Sequence, residues 1–80
     1  MHELGLSKNI VAIVSEHAAG RPVKRVRVAI GPLACVERQA LEFCWNLVAE
    51  GTELATAELV FIEADGDTFL IKDYELEEAA

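Results

Sequence analysis

Apolar residues along the first twenty positions recur at the spacing of an amphipathic helix. The apolar side carries Leu6, Ile10, Ile13, Val14 and His17. Gly20, followed by Arg21 and Pro22, ends the predicted helix. His17 then lies near the helix C-terminus, where a positively charged ring is favoured by the helix dipole.

The next stretch, residues 23–30, alternates apolar and polar positions as a half-buried strand does. Val26, Val28 and Ile30 form the predicted inner face, and Gly31-Pro32 end the strand. A second helix is predicted over residues 36–49. Its expected apolar stripe consists of Leu41, Cys44, Leu47 and Val48, flanked by Phe43 and Trp45. Gly51 then occupies the C′ position, which favours a left-handed residue.

Residues 56–64 are predicted as a second strand, and their continuous apolar run 59–62 is typical of a central strand covered on both faces. The turn Asp65-Gly66-Asp67 predicts a hairpin into a third strand over residues 68–76. The pattern therefore predicts an α/β (α+β) fold. Two helices cover a small mixed three-stranded sheet in the order helix-strand-helix-strand-strand, with a terminal β-hairpin.

Eighty residues with 52% hydrophobic composition suit one domain, residues 1–80, with a modest core. No apolar run reaches the roughly 20 residues of a membrane span, and no basic segment precedes an apolar stretch as in a signal peptide. We therefore expect a soluble, cytoplasmic protein. Cys35 and Cys44 are too few and too far apart on the predicted structure for a disulfide framework, so both are expected to be reduced, with Cys44 in the core.

The net charge of −7 disfavours nucleic acid and anionic membranes as partners. Residues 1–40 carry six basic and three acidic side chains, whereas residues 41–80 carry one basic and eleven acidic ones. The basic residues Arg21, Lys24, Arg25 and Arg27 either meet an acidic partner or form a solvated strand face that balances the acidic second half.

No enzyme motif is present in the sequence: it has no glycine-rich phosphate loop, no nucleophile elbow, no zinc-protease helix and no cysteine cluster with zinc spacing. Asp65 and Asp67 are best explained as solvated turn residues. We therefore expect no enzymatic activity, and the amino terminus is the remaining candidate for metal chemistry.

Met1, His2 and Glu3 place an imidazole beside an α-amine. The amine, the deprotonated amide nitrogen of His2 and its ring nitrogen can close adjacent chelate rings around one ion. Glu3 can supply a carboxylate or a further backbone nitrogen as the fourth ligand. Nitrogen-rich, near-planar donor sets suit Ni(II) and Cu(II) and fit tetrahedral zinc poorly. Many proteins begin with Met-His without binding metal, so this motif alone is weak evidence.

Blocks of sequence along nearly the whole chain follow one family pattern. They begin with the opening Met1-His2-Glu3 and continue over residues 4–7, 16–18, 23–33, 36–37, 40–41, 43, 50–52, 66–67, 70–72 and 75–77. In these blocks the chain resembles the HypA/HybF hydrogenase-maturation nickel metallochaperones. The resemblance implies that Ni(II) binds at Met1, His2 and Glu3. It also implies delivery, with a HypB-type GTPase, to the hydrogenase large-subunit precursor, and in some members to urease.

The chain departs from the family pattern between its last two strands, where the family carries a zinc domain with two Cys-x-x-Cys pairs. Here Ala64-Asp65 runs directly into Gly66-Asp67. We therefore expect no structural zinc and interpret the chain as a form from which the zinc domain is deleted at about Ala64–Gly66, either engineered or natural. An alternative function is an interaction or self-assembly module without useful metal binding, for example a homodimer formed by strand exchange.

Overall fold

The computed structural model describes residues 2–78. Its elements are α1 (Glu3–Ala18), β1 (Val23–Ile30), α2 (Arg38–Ala49), β2 (Glu58–Glu63) and β3 (Phe69–Leu76). The strands form one three-stranded mixed sheet. The predicted fold class and the order helix-strand-helix-strand-strand are confirmed, and β1 has the bounds that its alternating pattern predicted.

The central strand of the sheet is β1, because the strand order is β2-β1-β3. β1 pairs with β2 in parallel and with β3 antiparallel. The prediction that residues 56–64 form the central strand is therefore wrong. The predicted terminal hairpin is wrong as well, since β2 and β3 are not neighbours in the sheet.

This order brings opposite charges on neighbouring strands together. Arg25 and Arg27 of β1 make ion pairs with acidic residues on both neighbouring strands. The Arg25 Nε atom lies 2.9 Å from Glu58 Oε1 of β2, and its Nη1 atom lies 3.0 Å from Glu75 Oε2 of β3. Pairing β2 directly with β3 would have placed two acidic strands side by side, and facing like charges destabilise a sheet. Arg25 and Arg27 thus balance acidic residues within the molecule, as one of the two sequence interpretations proposed.

The connection from β2 to β3 passes over the C-terminal end of β1. Three backbone hydrogen bonds fix it there: Ala64 N donates to Ile30 O (3.1 Å), Gly31 N to Thr68 O (2.8 Å) and Leu33 N to Gly66 O (2.8 Å). The turn around Gly66 is therefore a bridge across β1. The predicted site of the missing zinc domain lies in this bridge.

In both helices, the residues that are buried differ in part from the apolar positions that the sequence predicted to face the core. In α2 the buried residues are Leu41, Trp45 and Ala49, whereas Leu47 is 57% exposed and Phe43 67% exposed. Trp45 faces inward because its Nε1–H donates to Ala57 O at 3.2 Å, which satisfies the only polar atom of the ring. Cys44 is half-buried rather than part of the core. In α1, Val11 is buried, and Ile13 is 48% exposed.

The start of α2 lies two residues later than predicted. Glu37 is the N-cap residue, and its side chain accepts a hydrogen bond from Gln39 N at 2.8 Å. An acceptor at the N-cap satisfies one of the amide groups that have no partner within the helix. Helix α2 therefore begins at Arg38. Among residues 2–78, no helix is both long and apolar enough to cross a membrane.

Candidate metal centre

His2 is the N-cap residue of α1 and is exposed. Its side chain makes no capping hydrogen bond, although its carbonyl oxygen accepts the first helical bond, from Leu6 N at 3.0 Å. The ring nitrogens are thus not used to stabilise the helix. The amide nitrogens of His2 and Glu3 also precede the first helical donor, and such nitrogens have no acceptor within the helix. A chelate built on these two amides would break no helical hydrogen bond.

Glu3 is the first residue of α1, and its carboxylate is engaged with the second helix. Glu3 Oε2 accepts a hydrogen bond from the backbone N–H of Glu37 at 3.0 Å. This bond, together with the amide of Glu3 itself, holds the pKa of the carboxyl below its ordinary value of 4.5. A hydrogen bond to the charged form favours that form. Glu3 is therefore ionised near neutral pH.

The two helices run side by side in the same direction, with their N-termini at one end of the molecule. Ser7 Oγ donates to Leu41 O at 3.3 Å, and this pair has the same sequence separation, 34, as the pair Glu3 and Glu37. Each N-terminus carries the positive end of a helix dipole. The Glu3 carboxylate, being within the first turn of α1 and bonded to the N-cap of α2, lies close to both positive ends.

The bridge between β2 and β3 is linked to this end of the molecule through Arg38. The Arg38 Nη1 atom lies 3.0 Å from Glu63 Oε1, and its guanidinium lies over the Phe61 ring at 5.5 Å from the centroid. Arg38 follows Glu37 directly, and Glu63 is the last residue of β2. His2, Glu3 and the predicted zinc-domain junction at residues 64–66 are thus placed at the same end of the sheet.

The remaining candidate residues lie apart from this centre. Met1 lies outside the described residues, so its predicted role as a ligand has no structural counterpart here. His17 is exposed in the last turn of α1, about 20 Å along the helix from Glu3. Cys35 is an exposed free thiol in the loop before α2, with a φ of 58°, and Cys44 is also free. Among residues 2–78, no three histidine, cysteine or acidic side chains converge on one point.

The sequence predicted His2 and Glu3 as ligands but gave no indication that the Glu37 amide bonds the Glu3 carboxylate. The bond between Glu3 and Glu37 joins residues 34 positions apart, and it uses a backbone amide, which any residue except proline provides. No pattern of side chains along the sequence could have predicted this hydrogen bond. The available signal was Glu37 itself, an acidic residue directly before a helical pattern and therefore a candidate N-cap.

Comparison with known proteins supports one family. Residues 1–69 match the family model described as HypA, hydrogenase/urease nickel incorporation, metallochaperone. The hydrogenase maturation factor HypA of Rippkaea orientalis is 47% identical over 66 residues, which cover 82% of this chain and 58% of that protein. The factor of the same name from Legionella pneumophila is 40% identical over 70 residues, which cover 84% of this chain and 62% of that protein.

A solved structure has the same fold. The solution structure of the Ni metallochaperone HypA from Helicobacter pylori superposes with a TM-score of 0.73 at 19% identity, covering 91% of this chain and 72% of that chain. The present chain spans 58% of the length of the first relatives that it matches. With a family model that covers most of its residues and relatives above 40% identity, this chain belongs to the HypA family of hydrogenase/urease nickel-incorporation metallochaperones.

Proposed function

We propose that this chain binds Ni(II) as cargo at its amino terminus and passes the ion on for hydrogenase maturation. The ligands are the α-amine of Met1, the ring and amide nitrogens of His2, and Glu3. The observation that carries the proposal is the position of His2: it is exposed at the N-cap of α1, and its ring makes no capping bond. Membership in the HypA family supports nickel as the ion.

The arrangement suits a carrier better than a permanent metal centre. The site lies at a helix start on the surface, where the ion can be approached and removed by a partner. The donor groups must lose protons to bind, so we expect affinity to fall in acid. Donor type alone favours Cu(II) over Ni(II), so selection of nickel is a property of the cell and its partners.

The test is a Ni(II) titration of the protein with a free amino terminus, monitored by calorimetry and by visible absorption. We expect one equivalent to bind with the yellow absorption of a planar nitrogen-ligated Ni(II), and we expect the variant His2→Ala to lose both. The matched control is His17→Ala, because His17 is the other histidine of the chain and lies at the far end of α1. Equal binding by wild type and His2→Ala would refute the proposal.

The partners follow from the family and remain part of the proposal. We propose a HypB-type GTPase as the immediate recipient and the hydrogenase large-subunit precursor as the destination. We also propose that the zinc domain of the family is deleted within residues 64–66 and that the chain needs no zinc to fold. Zinc analysis of purified folded chain tests the last point, and stoichiometric zinc would refute it.

A second candidate is a docking module without useful metal binding. Exposed apolar side chains on α2, Phe43 and Leu47, provide surface for such a role. Extending the amino terminus by a short tag separates the two functions. If the tagged chain still co-elutes with the GTPase but no longer binds nickel, docking and metal binding use different surfaces.

A further inference from the structure

A groove runs along one edge of the sheet, between α1 and β3. β3 is an edge strand, because the strand order is β2-β1-β3. Two adjoining cavities of about 310 and 250 Å³ form the groove, and both are lined by Ile13 of α1 and Ile71 of β3. The described residues that line either cavity all belong to α1 or β3. The groove therefore follows the edge of β3 rather than the middle of the sheet.

The floor of the groove is apolar and belongs to the protein core. Ile10 lines one cavity and Val14 the other, and these side chains are only 3% and 1% exposed. The walls are open to solvent, since Ile13 is 48% exposed and Leu70 50% exposed. Large apolar side chains that stand exposed along a depression are typical of a surface that binds a partner.

The edge of β3 adds hydrogen-bonding groups to this surface. In an edge strand, alternate N–H and C=O groups point away from the sheet and can pair with a further strand. An extended peptide that pairs there places every second side chain, about 6.8 Å apart, on the helix side of the sheet. The larger cavity lies against residues 69–71 and the smaller one against residues 71–74. The two cavities can thus receive two alternate side chains of one added strand.

Lys72 determines which peptides can use this edge. It lines the smaller cavity, is exposed, and is the only lysine or arginine in residues 41–80. Among residues 2–78, no carboxylate lies within ion-pair distance of its ammonium group, and the adjacent Asp73 is bound by Arg27 at 2.6 Å. A lysine on an edge strand discourages indiscriminate pairing. It also favours a partner that carries a carboxylate at this point.

We propose that the groove between α1 and β3 binds a short extended segment of a partner protein. The segment pairs as a fourth strand with the edge of β3, inserts two apolar side chains into the two cavities, and presents an acidic residue to Lys72. In this mode of recognition, main-chain hydrogen bonds supply affinity and side-chain pockets supply specificity. His2 and Glu3 line neither cavity, so the inference does not depend on the proposed nickel site.

The probe is a library of short random peptides displayed on phage, selected against the whole folded chain in the presence of chelator. We expect the selected peptides to share two apolar residues two positions apart, with an acidic residue beside them. A synthetic copy of one selected peptide is then titrated by calorimetry against wild type and variants. A selection that yields no specific peptide would overturn the proposal.

The apolar wall of the groove is tested by Ile13→Asp. We expect this variant to bind the peptide at least about tenfold more weakly, because the peptide would bury an unpaired charge. The matched control is Leu47→Asp, which makes the same change at an exposed leucine of α2 and should bind as wild type does. Thermal denaturation without peptide checks that both variants are folded. Wild-type affinity in Ile13→Asp would place the peptide elsewhere on the molecule and refute the assignment.

The requirement for an acidic residue is tested by reversing the charge of Lys72. We expect Lys72→Glu to weaken binding of the selected peptide. A second peptide, with lysine in place of the acidic residue, should bind Lys72→Glu better than it binds wild type. Such recovery requires that the two side chains meet, because a merely structural effect of the substitution would weaken both peptides alike. Absence of recovery would contradict the assigned contact.

Amide hydrogen exchange distinguishes an added strand from other occupants of the groove. With peptide bound, we expect the outward-facing amides of β3 to exchange more slowly, whereas the amides of β2 should be unaffected. A peptide that binds without protecting β3, as a helix would, rules out strand addition. Protection of β3 that rises with protein concentration in the absence of peptide would show that a second copy of the chain occupies the edge instead, which also contradicts the proposal.

Discussion

Gly31 and Gly66 pass so closely that their backbones are in contact. A Cβ atom added to Gly31 would overlap the carbonyl oxygen of Gly66 and would lie 2.6 Å from that of Asp65. The contact occurs where the chain between β2 and β3 passes over the end of β1. It is tight because Gly31 N donates to Thr68 O and Leu33 N donates to Gly66 O, both at 2.8 Å. The crossing is where the chain passes from β2 on one side of β1 to β3 on the other.

Gly31→Ala should therefore destabilise the protein. The obstructing atoms belong to backbone, which cannot rotate away as a side chain can, so we expect a loss of about 1–3 kcal/mol in the free energy of unfolding. Urea denaturation followed by circular dichroism measures it. The control is Gly5→Ala in α1, where the added Cβ meets only His2 Cβ at 3.9 Å. Alanine in place of a helical glycine should stabilise by about 0.5–1 kcal/mol. The two substitutions should thus have opposite signs, and a stable Gly31→Ala would show that the crossing is loose.

The two aromatic residues of α2 should differ sharply in their contribution to stability. Trp45 is 2% exposed, whereas Phe43 is 67% exposed. Trp45→Ala should cost about 3–5 kcal/mol. That loss is comparable to the whole net stability, roughly 3–5 kcal/mol, expected of a core this small, so the variant should be largely unfolded.

Phe43→Ala provides the comparison on the same helix. We expect its free energy of unfolding to stay within about 0.5 kcal/mol of wild type, as for most surface substitutions. Thermal denaturation by circular dichroism compares both variants. A large loss in Phe43→Ala would mean that its side chain is covered, for example by a second copy of the chain.

The Glu3 carboxylate should make the stability of the folded protein depend on pH. Its pKa is below 4.5 in the folded chain because it accepts the Glu37 amide proton. The unfolded chain therefore takes up a proton first as the pH falls. The stabilisation is present above pH 4.5, and it is lost as the pH falls through the folded pKa.

The measurement is the Tm of wild type and of Glu3→Gln, both with chelator, from neutral pH down to acid. Wild type should be the more stable near neutral pH, and the difference should shrink below pH 4.5. Other carboxylates titrate in both proteins and cancel in the comparison. Parallel curves would indicate that Glu3 makes no charge-dependent contact in the folded chain.

The ion pairs on the outer face of the sheet should give a salt-sensitive contribution. The Arg27 guanidinium bonds both carboxylate oxygens of Asp73, at 2.6 and 3.0 Å, while about two fifths of each side chain is exposed. Solvent reduces the value of exposed pairs. Arg27→Gln should lower the Tm slightly in dilute buffer. The difference should nearly vanish in about 1 M NaCl, where charges are screened beyond about 3 Å. A loss that is independent of salt would assign the role of Arg27 to packing of its aliphatic stem instead.

Local periodicity was sufficient to predict the elements of this fold. The alternation of Val26 and Val28 with Arg25 and Arg27 identifies β1, and the stop at Gly20 identifies the end of α1. These signals arise between residues one to four positions apart, which the sequence displays directly. The opening residues His2 and Glu3 could be singled out for the same reason, since a terminal chelate is made of neighbours in the chain.

The tertiary structure alone decided which strand is central, which face of α2 is buried and what the Glu3 carboxylate binds. Each of these depends on partners far apart in sequence: Arg25 joins Glu58 and Glu75, Trp45 joins Ala57, and Glu3 joins Glu37. The apolar run in β2 was compatible with a central and an edge position, and in the structure its residues are only half-buried. These contacts are ion pairs between strands, a side-chain hydrogen bond and a bond to a backbone amide, and such interactions exist only once the chain has folded.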